Sequence, residues 1–266
     1  MGADIKSLRT RIRSVDSTLH MTKAMGLVAS SKIRRASQNM SRSREYSAAL
    51  EEVVGVLRAS PDCAKSLYMS PKGAGDRIIV IAGDRGLAGG YNANVFRLAA
   101  TLGKCSFLPI GKRACDRFGE GFSSAEHFTA ADSGKLADQL CAEFLAGEYG
   151  RLGILYTRYR SLMTQEATLL WVLPLERSME SKKVTPIFEP DEQSVLDAAV
   201  PIYVGGIIAA CVRESFASEV AARRMAMDSA GKNAQEMIDR LQLQYNRARQ
   251  NTITQEITEI VAGSGL

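Results

Sequence analysis

The chain has 266 residues, 45% of them apolar and 24% charged, with a net charge of +5. That length supports one or two domains with a real core. No stretch of about 18 consecutive apolar residues occurs, so the sequence offers no segment built to cross a membrane. The N-terminus is basic and periodic, carries Asp4 and Asp16, and lacks an apolar signal core. Its helical pattern runs too far for a removable transit peptide, and a bacterial or organelle-free cytoplasmic product is expected.

Residues 1–57 carry apolar or small side chains in a three-four alternation: Ile5, Leu8, Ile12, Val15, Leu19, Thr22, Gly26, Ala29, Ile33, Ala36, Met40, Ser43, Ser47, Leu50, Val54 and Leu57. No proline interrupts them. This is the heptad signature of a helix that supercoils against another helix. At about 1.5 Å per residue it would be roughly 80 Å long. The helix should end near Ser60-Pro61.

Charge is uneven along the chain. Residues 1–44 carry a net +8, residues 213–266 are neutral, and the middle is −3. A basic helix of this kind wants an acidic partner, either nucleic acid or acidic protein loops, unless it is a plain solvated face.

Pro61 to Asp76 reads as a loop, with Pro71, Gly73 and Gly75. Ile78-Ile79-Val80-Ile81-Ala82 is a short continuous apolar run, typical of a strand buried on both faces. The glycine-rich stretch Gly83 to Gly90 follows and leads into a helix from about Asn92 to Leu102. Cys105 to Ile110 reads as a second strand, with a short helix after Gly111. Asp132 to Ala146 is an amphipathic helix with Leu136, Leu140 and Phe144 on one side. Leu152 to Tyr159 and Ala167 to Leu173 form a hairpin, and Val184 to Phe188 closes the region. Alternating strands and helices argue a small Rossmann-like α/β domain at 76–190.

After Pro190 the chain turns helical again, and beyond Pro201 it has no proline. Val220, Met227, Ala234, Leu241 and Ala248 repeat every seven residues. Ile238, Tyr245, Ile253, Ile257 and Ile260 fall on or near the same stripe. The expected fold class is α/β: an antiparallel two-helix coiled coil of the terminal helices, 1–60 and 200–266, with the α/β domain inserted between them.

The seam has weak layers. Thr22 and Gly26 hold core positions in the first helix and Gly231 in the second, and Ser43 and Ser47 bury little. A mid-helix glycine costs about 1 kcal/mol relative to alanine. Such a coil should be supported from outside, by a sleeve of partner protein.

Catalytic chemistry is thin. The Gly83–Gly90 loop fits neither GxxxxGK[ST] nor GxGxxG, so a tight turn is the default reading over a phosphate cradle. No Ser/His/Asp or paired-carboxylate set stands out. Cys63, Cys105, Cys115, Cys141 and Cys211 form no CxxC pair, and only His20 and His127 could join them at a metal. Reduced thiols are expected, with no metal and no cofactor. The final helix shows Arg249, Gln250, Asn251, Thr252, Thr254, Gln255 and Glu256 beside Ile253 and Ile257. It ends in an uncharged apolar tail from Ile260 to Leu266, of the kind that enters a pocket. Two other readings stay open here. One is a nucleotide-binding α/β enzyme with a helical arm. The other is a nucleic-acid-binding basic coiled coil, although Tyr46 is the one aromatic residue in the first 57, too few for stacking readout.

The residues become specific in combination. Met21-Thr22-Lys23-Ala24-Met25 and Val28-Ala29-Ser30-Ser31-Lys32-Ile33-Arg34-Arg35-Ala36 resemble the N-terminal signature of gamma subunits of F-type ATP synthases. Asp84-Arg85-Gly86-Leu87 with Gly89-Gly90-Tyr91-Asn92 resembles a second motif. Glu214-Ser215, Ala217-Ser218-Glu219 and the run from Tyr245-Asn246-Arg247-Ala248-Arg249-Gln250 to Ile253-Thr254-Gln255-Glu256-Ile257 resemble a third. The resemblance is end to end. Gly26 stands where the family usually has Glu, Gly231 where it has Thr, Ala88 where Cys is frequent and Val220 where His is common; Asn251-Thr252 replace small residues.

The resemblance implies a rotating central stalk with no catalytic site, coupling proton or other ion flow to ATP synthesis or hydrolysis on the beta subunits. It implies partners in the alpha/beta ring, the epsilon subunit and the c-ring, with no nucleic acid and no small-molecule substrate. It implies a peripheral place on the cytoplasmic face of the bacterial inner membrane, within a complex that is an H⁺-transporting two-sector ATPase. Carried over by motif, Lys23, Met25, Arg249, Gln250, Thr254 and Glu256 would meet the ring. Asp84, Arg85, Gly86, Gly89 and Gly90 would form the motif of the foot domain.

Overall fold

The computed structural model describes residues 2–177 and 188–263. Of the strand expected at 184–188, all but Phe188 lies outside the described residues. The chain divides into two compact units, residues 30–223 and residues 1–29 with 224–266. Two helices, α1 (Gly2–Leu57) and α5 (Glu192–Gly263), belong to both.

In the larger unit, four strands form one sheet: β1 (Asp76–Ile81), β2 (Cys105–Ile110), β3 (Arg151–Tyr159) and β4 (Gln165–Leu173). Their order is β2-β1-β3-β4, with β1 parallel to β2 and to β3, and β4 antiparallel to β3. The helices α2 (Tyr91–Thr101), α3 (Lys112–Phe118) and α4 (Ala130–Ala146) connect them. This is the α/β architecture that the sequence implied. α4 starts two residues before Asp132 because its cap lies upstream. The Thr129 hydroxyl accepts from the Asp132 N–H at 3.1 Å, and the Asp132 carboxylate accepts from the Thr129 N–H at 2.8 Å.

The sheet is buried on both faces, as its unbroken apolar strands require. Ile79, Ile81, Leu152 and Ile154 point into a core with Leu136, Leu140 and Phe144 of α4, Val54 and Leu57 of α1, and Leu196, Val200 and Val204 of α5. Ile78, Val80 and Leu155 point the other way, against Val95 and Ala99 of α2 and Ala114 of α3. The alternation of neighbours along β1 is the two-residue period of a strand.

One expectation needs correction. An 18-residue window of α5 has a mean hydropathy of 2.0, long and apolar enough by composition to span a bilayer. Counting consecutive apolar residues missed it, because Asp197 and Arg213 close the run. More than half of the window is buried in the protein core, which is where a helix apolar on most of its faces belongs.

The smaller unit is an antiparallel pair of helical segments. Leu19, Ala234 and Ile238 are buried together, with Val15 packed against them. Arg9 donates to the Tyr245 hydroxyl at 2.9 Å and lies 5.8 Å from its ring centroid. Seven residues before Arg9, α1 has reached its start at Gly2. α5 therefore runs out of opposing helix just beyond Thr252. Ile253, Ile257 and Ile260, which the periodicity placed on the seam, are 41%, 56% and 69% exposed for that reason.

The weak layers leave a notch of about 420 Å³, lined by Leu19, Thr22, Lys23, Gly26, Gly231 and Lys232 among others. A Cβ on Gly26 would sit 3.6 Å from Met227 Cβ, and one on Gly231 would sit 3.6 Å from Thr22 Oγ1. Both are ordinary contacts, so close packing does not require glycine at either position. Gly111 is different. Its φ is +100°, and a Cβ would lie 2.0 Å from the Ala82 carbonyl oxygen.

We predict that Gly231→Ala stabilises the chain by about 1 kcal/mol. Gly111→Ala should destabilise it by about 3 kcal/mol, through strain and clash together. Urea unfolding of the full chain checks both; a loss of stability in Gly231→Ala would show that its glycine is needed where it stands.

Candidate functional site

The loop after β1 sits at the switch point of the sheet, since β1 has β2 on one side and β3 on the other. In open α/β sheets, the crevice outside these strand ends is where ligands bind. Here the crevice is filled from within the chain. Gly83 leaves room for the Glu219 carboxyl of α5, whose Cδ would lie 2.7 Å from a Cβ at that position. Glu219 is 4% exposed and ion-paired with Arg223 one turn on. Burial pushes its carboxyl up in pKa, and Arg223 opposes that. Arg223 also donates to the Gly86 carbonyl at 3.3 Å. Tyr91, buried at the start of α2, has its phenol pushed up by burial and then by the Glu219 charge.

Asp84 is the hub of this loop. Its Oδ1 accepts from the N–H of Ala125 at 2.8 Å and of Lys112 at 3.3 Å. Its Oδ2 accepts from the Ser124 hydroxyl at 2.6 Å and from the Glu126 N–H at 3.2 Å. Burial alone would raise the carboxyl, but the Ser124 hydroxyl and these backbone donors hold it below the usual carboxylate range. The segment that Asp84 organises then reaches α1, where Glu126 accepts from Lys32 at 2.5 Å.

The other motif residues are structural in the same way. The Arg85 carbonyl accepts from the Asn92 amide at 3.4 Å, while Asn92 Oδ1 accepts from the Gly83 N–H at 2.9 Å. Gly89 has φ +57°, and Gly90 caps α2, its carbonyl accepting from Asn94 at 2.9 Å.

The second contact is on the sheet itself. β4 pairs with β3 as far as Tyr159, but β1 pairs with it only as far as Leu155, so the last residues of β3 run on with no strand on the β1 side. Unpaired backbone groups in a buried place are costly. α5 supplies the partners. The Thr157 N–H donates to the Ser215 hydroxyl oxygen at 3.1 Å, and its carbonyl accepts from the Ser218 hydroxyl at 3.1 Å. The Tyr159 N–H donates to Glu214 at 2.9 Å. Arg44 of α1 donates to the same Glu214 oxygen at 2.6 Å and to the Tyr159 carbonyl at 3.2 Å. The sequence motifs at 84–92 and 214–219 thus meet across one sheet. Ser124, Glu126, Thr157 and Arg223 complete the contact. None of these stood out in the sequence; the i,i+4 pair Glu219–Arg223 was the one available signal.

The six residues expected to face partners lie in the smaller unit. Lys23 is exposed at the rim of the notch and Met25 is half-buried. Arg249, Gln250, Thr254 and Glu256 are exposed on the last part of α5. Gly231 and Arg249 are 18 residues apart along the helix, or about 27 Å at its rise per residue. The two groups therefore form separate surfaces. Basic charge is partly absorbed by the fold, through Arg9–Tyr245, Lys32–Glu126 and Arg44–Glu214.

Residues 4–265 match the family model described as ATP synthase. The chain is 38% identical over 280 residues to an ATP synthase gamma chain of Ruminococcus albus, covering 98% of both chains. An ATP synthase gamma chain of Moorella thermoacetica is 39% identical over 279 residues, again with 98% of each covered. The chain belongs to the ATP synthase gamma chain family. Among solved structures, a chain of the Euglena gracilis mitochondrial ATP synthase (OSCP/F1/c-ring, rotational state 3) superposes with a TM-score of 0.72 at 19% identity, covering 99% of this chain and 94% of that one. The likeness confirms the fold. Within the fold, the glycine-rich loop is the turn against which Glu219 and Arg223 of α5 pack.

Asp84 gives a pH test. Its folded pKa is lowered, so its contribution is complete above the ordinary Asp range, about 3.9, and is lost as pH falls through the lower folded value. We predict that Asp84→Asn costs about 3 kcal/mol at pH 7. It should also flatten the fall in stability between pH 5 and 2. Urea midpoints of both proteins across that range check it.

Proposed function

We propose that this gamma chain is the turning central stalk of an ATP synthase and holds no substrate of its own. The observation that carries the reading is the filled switch-point crevice. Where a doubly wound sheet would take a nucleotide, Glu219 and Arg223 of α5 stand instead. The same helix continues without a break into the antiparallel coil. A chain built this way can transmit movement, but it offers the sheet's usual ligand position to nothing.

The coil supports the reading through its imperfections. Among the described residues of the smaller unit, Leu19, Met227, Ile238 and Leu241 are the large apolar side chains that are buried. Met21, Leu27, Val28, Met237, Leu243, Ile253, Ile257, Ile260 and Val261 are exposed. Exposed apolar surface on this scale marks an interaction site. A sleeve of alternating alpha and beta subunits would cover it. In this reading Lys23 and Met25 meet the beta subunits from one helix, and Arg249, Gln250, Thr254 and Glu256 from the other. The apolar end of α5 turns in a bearing at the far end of the ring. The α/β unit serves as the foot, with the epsilon subunit and the c-ring as partners, on the cytoplasmic face of a bacterial inner membrane.

Mechanistically the chain is a coupling element. Its contact free energy differs from one ring conformation to the next, and that difference shifts each beta site between nucleotide affinities as the stalk turns. Ion flow drives the turning in synthesis, and hydrolysis drives it in reverse.

We predict that Met25→Lys loosens coupling, because a charge enters a half-buried position on the contact surface. In inverted membrane vesicles, proton uptake per ATP hydrolysed should fall at least twofold while hydrolysis persists. An unchanged ratio would remove Met25 from the contact.

A further inference from the structure

A cavity of about 420 Å³ lies in the larger unit between α1, α5 and the 124–127 segment. Its walls include Lys32, Arg35, Glu126, His127, Arg213 and Phe216. The charges do not balance. Lys32 is answered by Glu126 at 2.5 Å. Arg35 follows Lys32 on the same face of α1, since residues three apart are helix-surface neighbours. Arg213 comes from α5 and is half-buried. Among the described residues, neither guanidinium has a carboxylate partner.

Arg35 is exposed and Arg213 half-buried, and two unanswered like charges lining one cavity repel each other, the more so on its inner, drier side. Ala36 is 3% exposed and packs with Met40, Ala217 and Phe216 to form that side. An oxyanion between the two would relieve the repulsion. Guanidinium is the group best shaped for it, because its planar fork binds phosphate oxygens in pairs. The volume is that of a small-ligand pocket and is more than a single oxyanion needs.

We infer that this cavity binds a polyphosphate anion, with phosphate oxygens bridged between Arg35 and Arg213. The anion is either free pyrophosphate or the diphosphate of a nucleotide whose apolar part lies against Phe216. The site is separate from the switch-point crevice that α5 fills.

The test is calorimetric titration of the full chain with pyrophosphate, and separately with ADP, without Mg²⁺ and at constant ionic strength set by potassium chloride. Saturable one-to-one binding of pyrophosphate is expected. It should weaken at least tenfold in Arg213→Gln and in Arg35→Gln, neither of which breaks an ion pair of the fold. ADP binding tighter than pyrophosphate would identify the nucleotide as the source, and weaker binding the free anion. Absence of saturable pyrophosphate binding, or binding unchanged in both variants, would overturn the inference. So would an acidic peptide that binds through Arg213 where pyrophosphate does not.

Discussion

On the side away from β4, the last residues of β3 have no neighbouring strand, and α5 takes that strand's place. Ser215, Ser218 and Glu214 supply to Thr157 and Tyr159 the bonds that β1 would have made. Each bond is worth about 1 kcal/mol net, but leaving the buried groups unmade would cost more, about 1–3 kcal/mol each. The geometry therefore holds α5 against the sheet in one register. Glu219 follows one turn later, enters the crevice beside Gly83, and ties Arg223 to the Gly86 carbonyl. A helix so placed can belong to the sheet's core and to the coil at once.

The same contact explains why the glycine-rich loop is not a phosphate cradle. Asp84 takes four donors from the loops around it and leaves none of them for a ligand. Glu126, positioned by Asp84, grips Lys32 on α1. Arg44 of α1 joins Glu214 and the Tyr159 carbonyl. Both long helices are thus fastened to the α/β unit by polar contacts that resist sliding, over an apolar core that does not by itself fix register. A stalk that must turn as one body needs that kind of attachment.

Much of this was legible in residue patterns. Every position of the N-terminal stripe, from Ile5 to Leu57, is buried or half-buried in the structure. The strand at 105–110 and the hairpin strands fall where alternation and turn residues placed them. The stripe misled only at Ile253, Ile257 and Ile260. Periodicity reports which face could pack, but not where the opposing helix ends. Legibility of the site was more uneven. Asp84 and Glu219 belonged to recognisable motifs, yet nothing local showed that they serve one crevice, because that depends on a strand order of β2-β1-β3-β4. Ser124 and Glu126 were invisible for the same reason. Ser124 presents its hydroxyl, and Glu126 a backbone N–H and a carboxylate, to residues tens of positions away.

The account rests on α5 acting as a partner to β3, and hydrogen exchange tests that directly. Amide exchange of the full chain, resolved to single residues, should show the Thr157 and Tyr159 N–H groups as protected as those at the centre of β3. In Ser215→Ala, protection at Thr157 should fall at least tenfold while Ile154 is unchanged. Rapid exchange at Thr157 and Tyr159 in the unaltered chain would contradict the account, because α5 would then not be holding the sheet.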